Sequence, residues 1–192
     1  MPKISAPTVA EHRERVIAAI VAGTREVLID KGYADLKLGE VAAKAKVSRT
    51  SIYDYFVNKD DVILAVLEQD IPTWEAAVKA GVEGVTSPRG RVEAYIEALM
   101  GIATDGGMEL AAALRQSNLS KFVIKSLTEM VQDLIAPLAA ALKDLGDENP
   151  DVTAMMILRI VDSAIWQIEK GYSKADVTKM AVSLILDGVD RE

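Results

Sequence analysis

The 192-residue chain has no cysteine. That excludes disulfides and any thiolate metal site, and it suits a reducing compartment. It has one histidine, His12, which reads as a surface residue of the first helix. There is no His/carboxylate cluster of metal-ligand spacing and no Gly-rich phosphate loop. No metal, no cofactor and no enzymatic activity are therefore expected. No apolar run approaches the roughly 18 residues of a membrane span. The opening Met-Pro-Lys-Ile-Ser-Ala-Pro lacks an apolar signal core. The expectation is a cytoplasmic protein with no membrane partner. Strand-type alternation of apolar and polar residues is also missing.

Half of the residues are apolar, and they recur at helical spacing. Ile17, Ile20, Val21, Thr24 and Leu28 share one face of a helix over 8–31, closed by Gly32 as a C′ residue. Short helices follow at about 38–45 and 49–55. Asn58 caps the next, with Asp61 placed to reach back as in a capping box. Pro72 should kink or end that helix near Ile71, with a further stretch over 73–82. Ser87-Pro88 is a cap followed by proline at the first helical position. A short helix over 108–115 follows, then a long one from Ser117 or Asn118 with a kink at Pro137. Two more cover 150–170 and 174–188. The reading is an all-α protein of roughly nine helices.

Charge is divided unevenly along the chain. Residues 1–59 carry 10 Lys/Arg against 7 Asp/Glu, whereas residues 60–192 carry 12 against 22. A basic head on an acidic body is what a protein needs if only the head meets phosphate.

Within that head, residues 38–59 read Leu-Gly-Glu-Val-Ala-Ala-Lys-Ala-Lys-Val-Ser-Arg-Thr-Ser-Ile-Tyr-Asp-Tyr-Phe-Val-Asn-Lys. Ser48 is a natural N-cap. Ile52 and Phe56, four apart, face inward, while Arg49, Thr50, Ser51 and Tyr53 present hydrogen-bonding groups on the other side. A helix-turn-helix offers DNA such a surface, N-terminus first, in the major groove. With Gly32-Tyr33, Val41-Ala42, Val47-Ser48, Ile52-Tyr53-Asp54-Tyr55-Phe56 and Asn58-Lys59, the segment resembles the DNA-binding domain of the TetR family of one-component repressors. The likeness covers roughly the first third of the chain.

The resemblance implies two domains: a helix-turn-helix domain over 1–58 and a ligand-binding and dimerisation domain over 59–192. It makes Arg49, Thr50 and Ser51 the base-facing residues. Arg49 leads, because a guanidinium can bond guanine O6 and N7 together. Tyr53, Tyr55 and Lys59 match phosphate-contacting positions, and Lys37 and Lys46 add charge to the same face. Three positions depart from the family pattern. Lys46 stands where glycine is usual, at a cost of about 1 kcal/mol if its backbone is left-handed. Lys37-Leu38 replaces a threonine cap. Thr50 replaces a smaller residue.

The rest of the chain must sense or assemble. Apolar residues nearly encircle the helices over 150–170 and 174–188, so both need a second surface to bury against. The resemblance implies a C2 homodimer through these helices, matched to a palindromic double-stranded DNA operator. Trp74, Tyr95, Met100, Phe122, Met130 and Trp166 supply an aromatic and Met-rich interior, and the resemblance implies that it encloses a pocket for a small apolar or amphipathic effector. The alternative is a packed core in a DNA-binding regulator without a small-molecule ligand, governed by a protein partner or acting architecturally.

Overall fold

The computed structural model describes residues 9–104, 113, 114 and 117–189. Among the described residues eight α-helices and one 3-10 turn are delimited, and no strand occurs. In chain order the elements are α1 (Val9–Asp35), α2 (Leu38–Lys44), the 3-10 turn (Ser51–Asp54), α3 (Lys59–Val82), α4 (Pro88–Thr104), α5 (Lys121–Met130), α6 (Gln132–Asp144), α7 (Pro150–Glu169) and α8 (Lys174–Val189).

Most boundaries follow from local caps. Gly32 breaks α1 with φ 74° and ψ 176°, so the regular helix closes where a residue without Cβ permits it. Asn58 Oδ1 accepts the backbone N–H groups of Asp60 (2.7 Å) and Asp61 (3.2 Å). Asp61 reaches back in turn, its carboxylate accepting from the N–H groups of Asn58 and Val57. The expected capping box is thus formed on both sides. Ser87 Oγ caps α4 through Gly90 N–H at 3.1 Å, and Ser173 Oγ meets Asp176 N–H at 3.4 Å. Pro150 occupies the first turn of α7 as expected.

Four expectations are corrected. The expected helix over 49–55 is a short 3-10 turn. Pro72 does not end α3, which continues to Val82. Pro72 itself is exposed, and Ile71, Trp74 and Val78 on either side of it are buried, so side-chain packing offsets the one lost backbone bond. The long helix from Ser117 or Asn118 starts at Lys121 instead, capped by Ser120 Oγ on Val123 N–H at 3.1 Å. It is interrupted at Val131 (φ −84°, ψ 3°) rather than at Pro137, which lies inside α6. Nothing local in the sequence marks that interruption. The helix expected over 108–115 lies outside the described residues except at Ala113 and Leu114, which are helical.

Contacts gather the chain into two compact units: residues 1–69 with 113–127, and residues 70–112 with 128–192. The division falls inside α3, between residues 69 and 70.

The first unit is built on α1. Ile20, Val21, Val27 and Leu28 are buried with Val41, Ala42, Ile52 and Phe56, and with Val62, Ile63 and Val66 of α3. Thr24, buried among them, satisfies its hydroxyl on Ile20 O at 2.8 Å. Gly23 lets α2 approach closely: a Cβ there would lie 3.1 Å from Lys44 Cβ and 3.2 Å from Val41 O. In the second unit α4 packs on α6, α7 and α8, and α7 packs on α6 and α8. Tyr95, Ile96, Met100, Leu138, Ala141, Leu142, Ala154 and Ile157 lie at its centre.

Candidate nucleic-acid interface

The candidate interface is a turn between two short elements, and its shape is set by Lys46 and Ser48. Lys46 has φ 56° and is the one non-glycine residue with positive φ among the described residues. Val47 N–H reaches back to Ala42 O (3.0 Å) and Lys46 N–H to Ala43 O (3.2 Å). That is the paired closure of a Schellman C-terminus, with Lys46 in the place glycine usually fills. Ser48 Oγ then accepts Ser51 N–H at 3.0 Å, which starts the 3-10 turn as an N-cap does.

The result separates two faces. Ile52 and Phe56 are buried, and Phe56 N–H bonds Ile52 O at 3.0 Å. Arg49, Thr50 and Tyr53 are exposed, and Ser51 is half-buried. The hydroxyls of Ser48, Thr50 and Ser51 form one cluster, with Ser48 Oγ 2.9 Å from Thr50 Oγ1 and 2.7 Å from Ser51 Oγ. Each hydroxyl has one donor and two acceptor positions, so the cluster is oriented and retains capacity for a ligand. Arg49 makes no hydrogen bond or ion pair with other described residues. Its guanidinium lies over Gly39, where a Cβ would come within 3.1 Å of Arg49 Nε. Sequence reasoning gives Gly39 no role. A glycine inside a seven-residue helix is the signal that something passes close by.

The remaining candidates are spread around this turn. Lys37 and Lys46 are both exposed. Lys37 precedes α2 in an extended conformation, and no side chain caps that helix, as the missing threonine implies. Tyr55 is half-buried, with Arg13 stacked 5.3 Å from its ring centroid.

Lys59 differs from the rest. Its Nζ donates to Tyr33 O at 3.3 Å and sits 4.0 Å from the Tyr33 ring centroid. A lysine in the first turn of a helix opposes the macrodipole, and Tyr33 supplies a reason for it within the protein. Beside it, Asp60 accepts from Tyr33 Oη at 3.0 Å and from Ser120 Oγ at 2.7 Å. Sequence spacing does not reveal this link between three separate segments. Burial, seconded by the bond to Asp60, pushes the Tyr33 hydroxyl above its ordinary range. Elsewhere on α1, Lys31 bonds Glu40 at 2.9 Å and Glu26 accepts from Lys44 at 3.0 Å. The first of these bonds raises Lys31 and lowers Glu40.

Comparison with known proteins agrees with this geometry. The profile of the bacterial regulatory proteins, tetR family, matches residues 20–66. The regulator TtgW of Pseudomonas putida is 31% identical over 120 residues, which cover 55% of this chain and 87% of that protein.

The chain belongs to the TetR family of transcriptional regulators.

Two other relatives are the regulator HbdR of Aromatoleum sp. (strain CIB), 32% identical over 80 residues, and the activator FasR of Mycolicibacterium smegmatis, 30% identical over 79. These matches take in 42% and 41% of this chain but 33% and 36% of HbdR and FasR, so the chain spans about a third of their lengths. The fold is similar to the Bacillus subtilis regulator FadR in complex with stearoyl-CoA: TM-score 0.71, 19% identity, 89% of this chain and 98% of that one. It is also similar to AibR in complex with isovaleryl coenzyme A and operator DNA: TM-score 0.68, 17% identity, 88% and 97%. The relatives are regulators rather than enzymes.

The six residues expected to line an effector pocket do not share one environment. Tyr95 and Met100 are fully buried and Trp74 nearly so. Tyr95 Oη donates to Leu134 O at 3.1 Å, and burial pushes its ionisation far upward. Met130 is half-buried. Phe122 and Trp166 depart from the expected interior, being 57% and 41% exposed. Each neighbours a buried residue (Val123 and Ile165), and successive side chains of a helix point about 100° apart. Trp166 instead carries Lys170 over its ring at 5.3 Å, and Phe122 belongs to the first unit. Among the described residues no helix is long and apolar enough to cross a membrane, and no cluster of three metal-capable side chains occurs.

Proposed function

We propose that this TetR-family protein is a cytoplasmic, homodimeric repressor that binds a palindromic operator and leaves it when a small apolar or amphipathic ligand binds. Residues 1–58 read DNA and residues 59–192 sense and pair. The observation that carries the reading is the turn after α2. Ser48 caps it, Ile52 and Phe56 anchor it, and Arg49, Thr50 and Ser51 are left on the open side. Arg49 is the reader of guanine. Tyr53, Tyr55, Lys37 and Lys46 position the turn on phosphates. Lys59 joins them only by leaving Tyr33.

Pairing is supported by an unpartnered apolar stripe. Val152 and Met156 of α7 and Met180 and Leu184 of α8 are each more than 60% exposed, at intervals of four residues. Met156 and Leu184 line an open groove of about 700 Å³ together with Ile157, Ile160 and Ile185. A two-fold axis through this face would bury it against itself. A ligand of the acyl-thioester class is supported by FadR and AibR, each solved with an acyl-CoA. Release requires that the ligand bind one conformation better than the other. Helix α3, which starts in the first unit and ends in the second, is the link.

Selection of duplexes from a random pool tests the reading. An enriched palindrome with half-sites about one helical turn apart supports it. Weak, salt-sensitive binding with no enrichment overturns it. The buried hydroxyl of Tyr95, already satisfied by Leu134 O, favours a second reading, a regulator with a packed core and no small-molecule ligand. Acyl-CoA esters of short and long chain length, titrated into the operator complex, separate the two. Release by any of them rejects the second reading, and unchanged affinity with all rejects the acyl-thioester ligand.

A further inference from the structure

Beside the reading turn lies a second polar feature. An open groove of about 390 Å³ runs between α1 and the turn, lined by His12, Arg15, Lys46, Ser48, Ser51 and Asp54, with Tyr55 at one side. Three of its side chains bear or can take positive charge. Lys46 holds the left-handed position of the turn, and Ser48 and Ser51 belong to the hydroxyl cluster of the reading face. The groove therefore continues the surface that carries Arg49.

We propose that this groove seats a backbone phosphate of the bound duplex and that His12 makes the seat pH-dependent, the imidazolium pairing with the phosphate alongside Arg15 and Lys46. The inference rests on the DNA-binding reading above. His12 is exposed on α1, with Glu11 and Arg13 as charged neighbours on the same helix. Arg15 shares α1 with His12, and Lys46 and Asp54 line the groove from the turn. Without DNA the cations outnumber the carboxylate. A phosphate between them reverses that balance, so proton and phosphate each strengthen the binding of the other. An imidazole ordinarily changes charge between pH 5 and 8. The chain has one histidine and no cysteine, so a one-proton linkage in this window has a single side-chain candidate.

The test is the affinity of the full chain for a mixed-sequence duplex of about two helical turns, at pH 5.5 and pH 8 over a series of salt concentrations. For the natural protein the affinity should rise about threefold to tenfold at the lower pH, and the salt slope should steepen by about one phosphate contact. His12→Gln should bind at both pH values as the natural protein does at pH 8. His12→Lys should bind at both as the natural protein does at pH 5.5. Far-ultraviolet circular dichroism checks that both variants fold. Binding that responds to pH identically in the natural protein and His12→Gln overturns the proposal and leaves the DNA-binding reading standing. So does binding with no pH response in either. Absence of binding by the natural protein at either pH overturns both.

Discussion

The two compact units are held by different kinds of interaction. In the first, polar contacts set the shape: locally Ser48 on Ser51 N–H and Asn58 and Asp61 on each other's backbone, and across the chain Asp60 between Tyr33 and Ser120. In the second, α4, α6, α7 and α8 meet through Tyr95, Ile96, Leu138, Leu142 and Ile157, with one buried polar tie, Tyr95 Oη on Leu134 O, and Arg91 on Asp144 at the surface. A hydrogen-bonded turn holds donors and acceptors at defined positions, which a reader of base edges needs. A core of interchangeable apolar side chains tolerates changes of shape and sequence, which suits a sensing and pairing unit.

The largest break in that comparison should come from the core. Leu142 is fully buried in the second unit, so Leu142→Ala should cost about 2–5 kcal/mol through lost burial and the cavity left behind. Denaturant unfolding measures it. At permissive temperature the variant should keep its preference among duplexes, because nothing in the reading turn changes. A loss of preference without a loss of stability would contradict the division of labour.

Arg49→Ala should do the reverse. Arg49 is exposed and unbonded within the described residues, so stability should stay within about 0.5 kcal/mol. Discrimination between the selected operator and a duplex altered at the contacted guanine should fall by about 1–3 kcal/mol. Binding isotherms on the two duplexes read this directly. Unchanged discrimination would remove Arg49 from base reading.

Asn58→Ala gives a smaller effect. It deletes the acceptor for the Asp60 and Asp61 N–H groups and should cost about 0.5–2 kcal/mol. Asp60 also anchors Tyr33 and Ser120, so fraying here should raise amide exchange in the first unit before the second. Exchange rising first in α7 would mean that the cap is not what holds the first turn of α3.

The same contrast explains which features are legible in the sequence. Ser48, Asn58, Asp61, Ser87 and Ser173 make their capping bonds within four residues, so their roles are visible in spacing alone. The inward placement of Ile52 and Phe56, four apart, is equally visible. What escapes is non-local. Asp60 bonds residues 27 and 60 positions away, and no local pattern encodes such a pairing. Pro72 reads as a helix end because its missing N–H is a local fact, whereas the burial of Ile71, Trp74 and Val78 that carries α3 past it is a tertiary one. Residue type alone assigns Trp166 and Phe122 to an interior. An apolar side chain on a helix that is apolar nearly all round has no unique inward direction until its neighbours are placed.

Lys46 joins the two kinds of reasoning in one residue and makes the smallest prediction with the most information. Its φ of 56° is a conformation in which a side chain costs about 1 kcal/mol relative to glycine. Lys46→Gly should therefore raise the unfolding free energy by about that amount, less what glycine's flexibility adds to the unfolded chain. The substitution also removes a cation from the groove that holds His12 and Arg15. DNA affinity should fall for all sequences alike, and the salt dependence should flatten by about one charge. A rise in stability together with a fall in affinity would show that the strain persists because the charge serves binding. A rise in stability with affinity and salt slope unchanged would show that Lys46 touches no phosphate, and it would leave the strained turn without a functional reason.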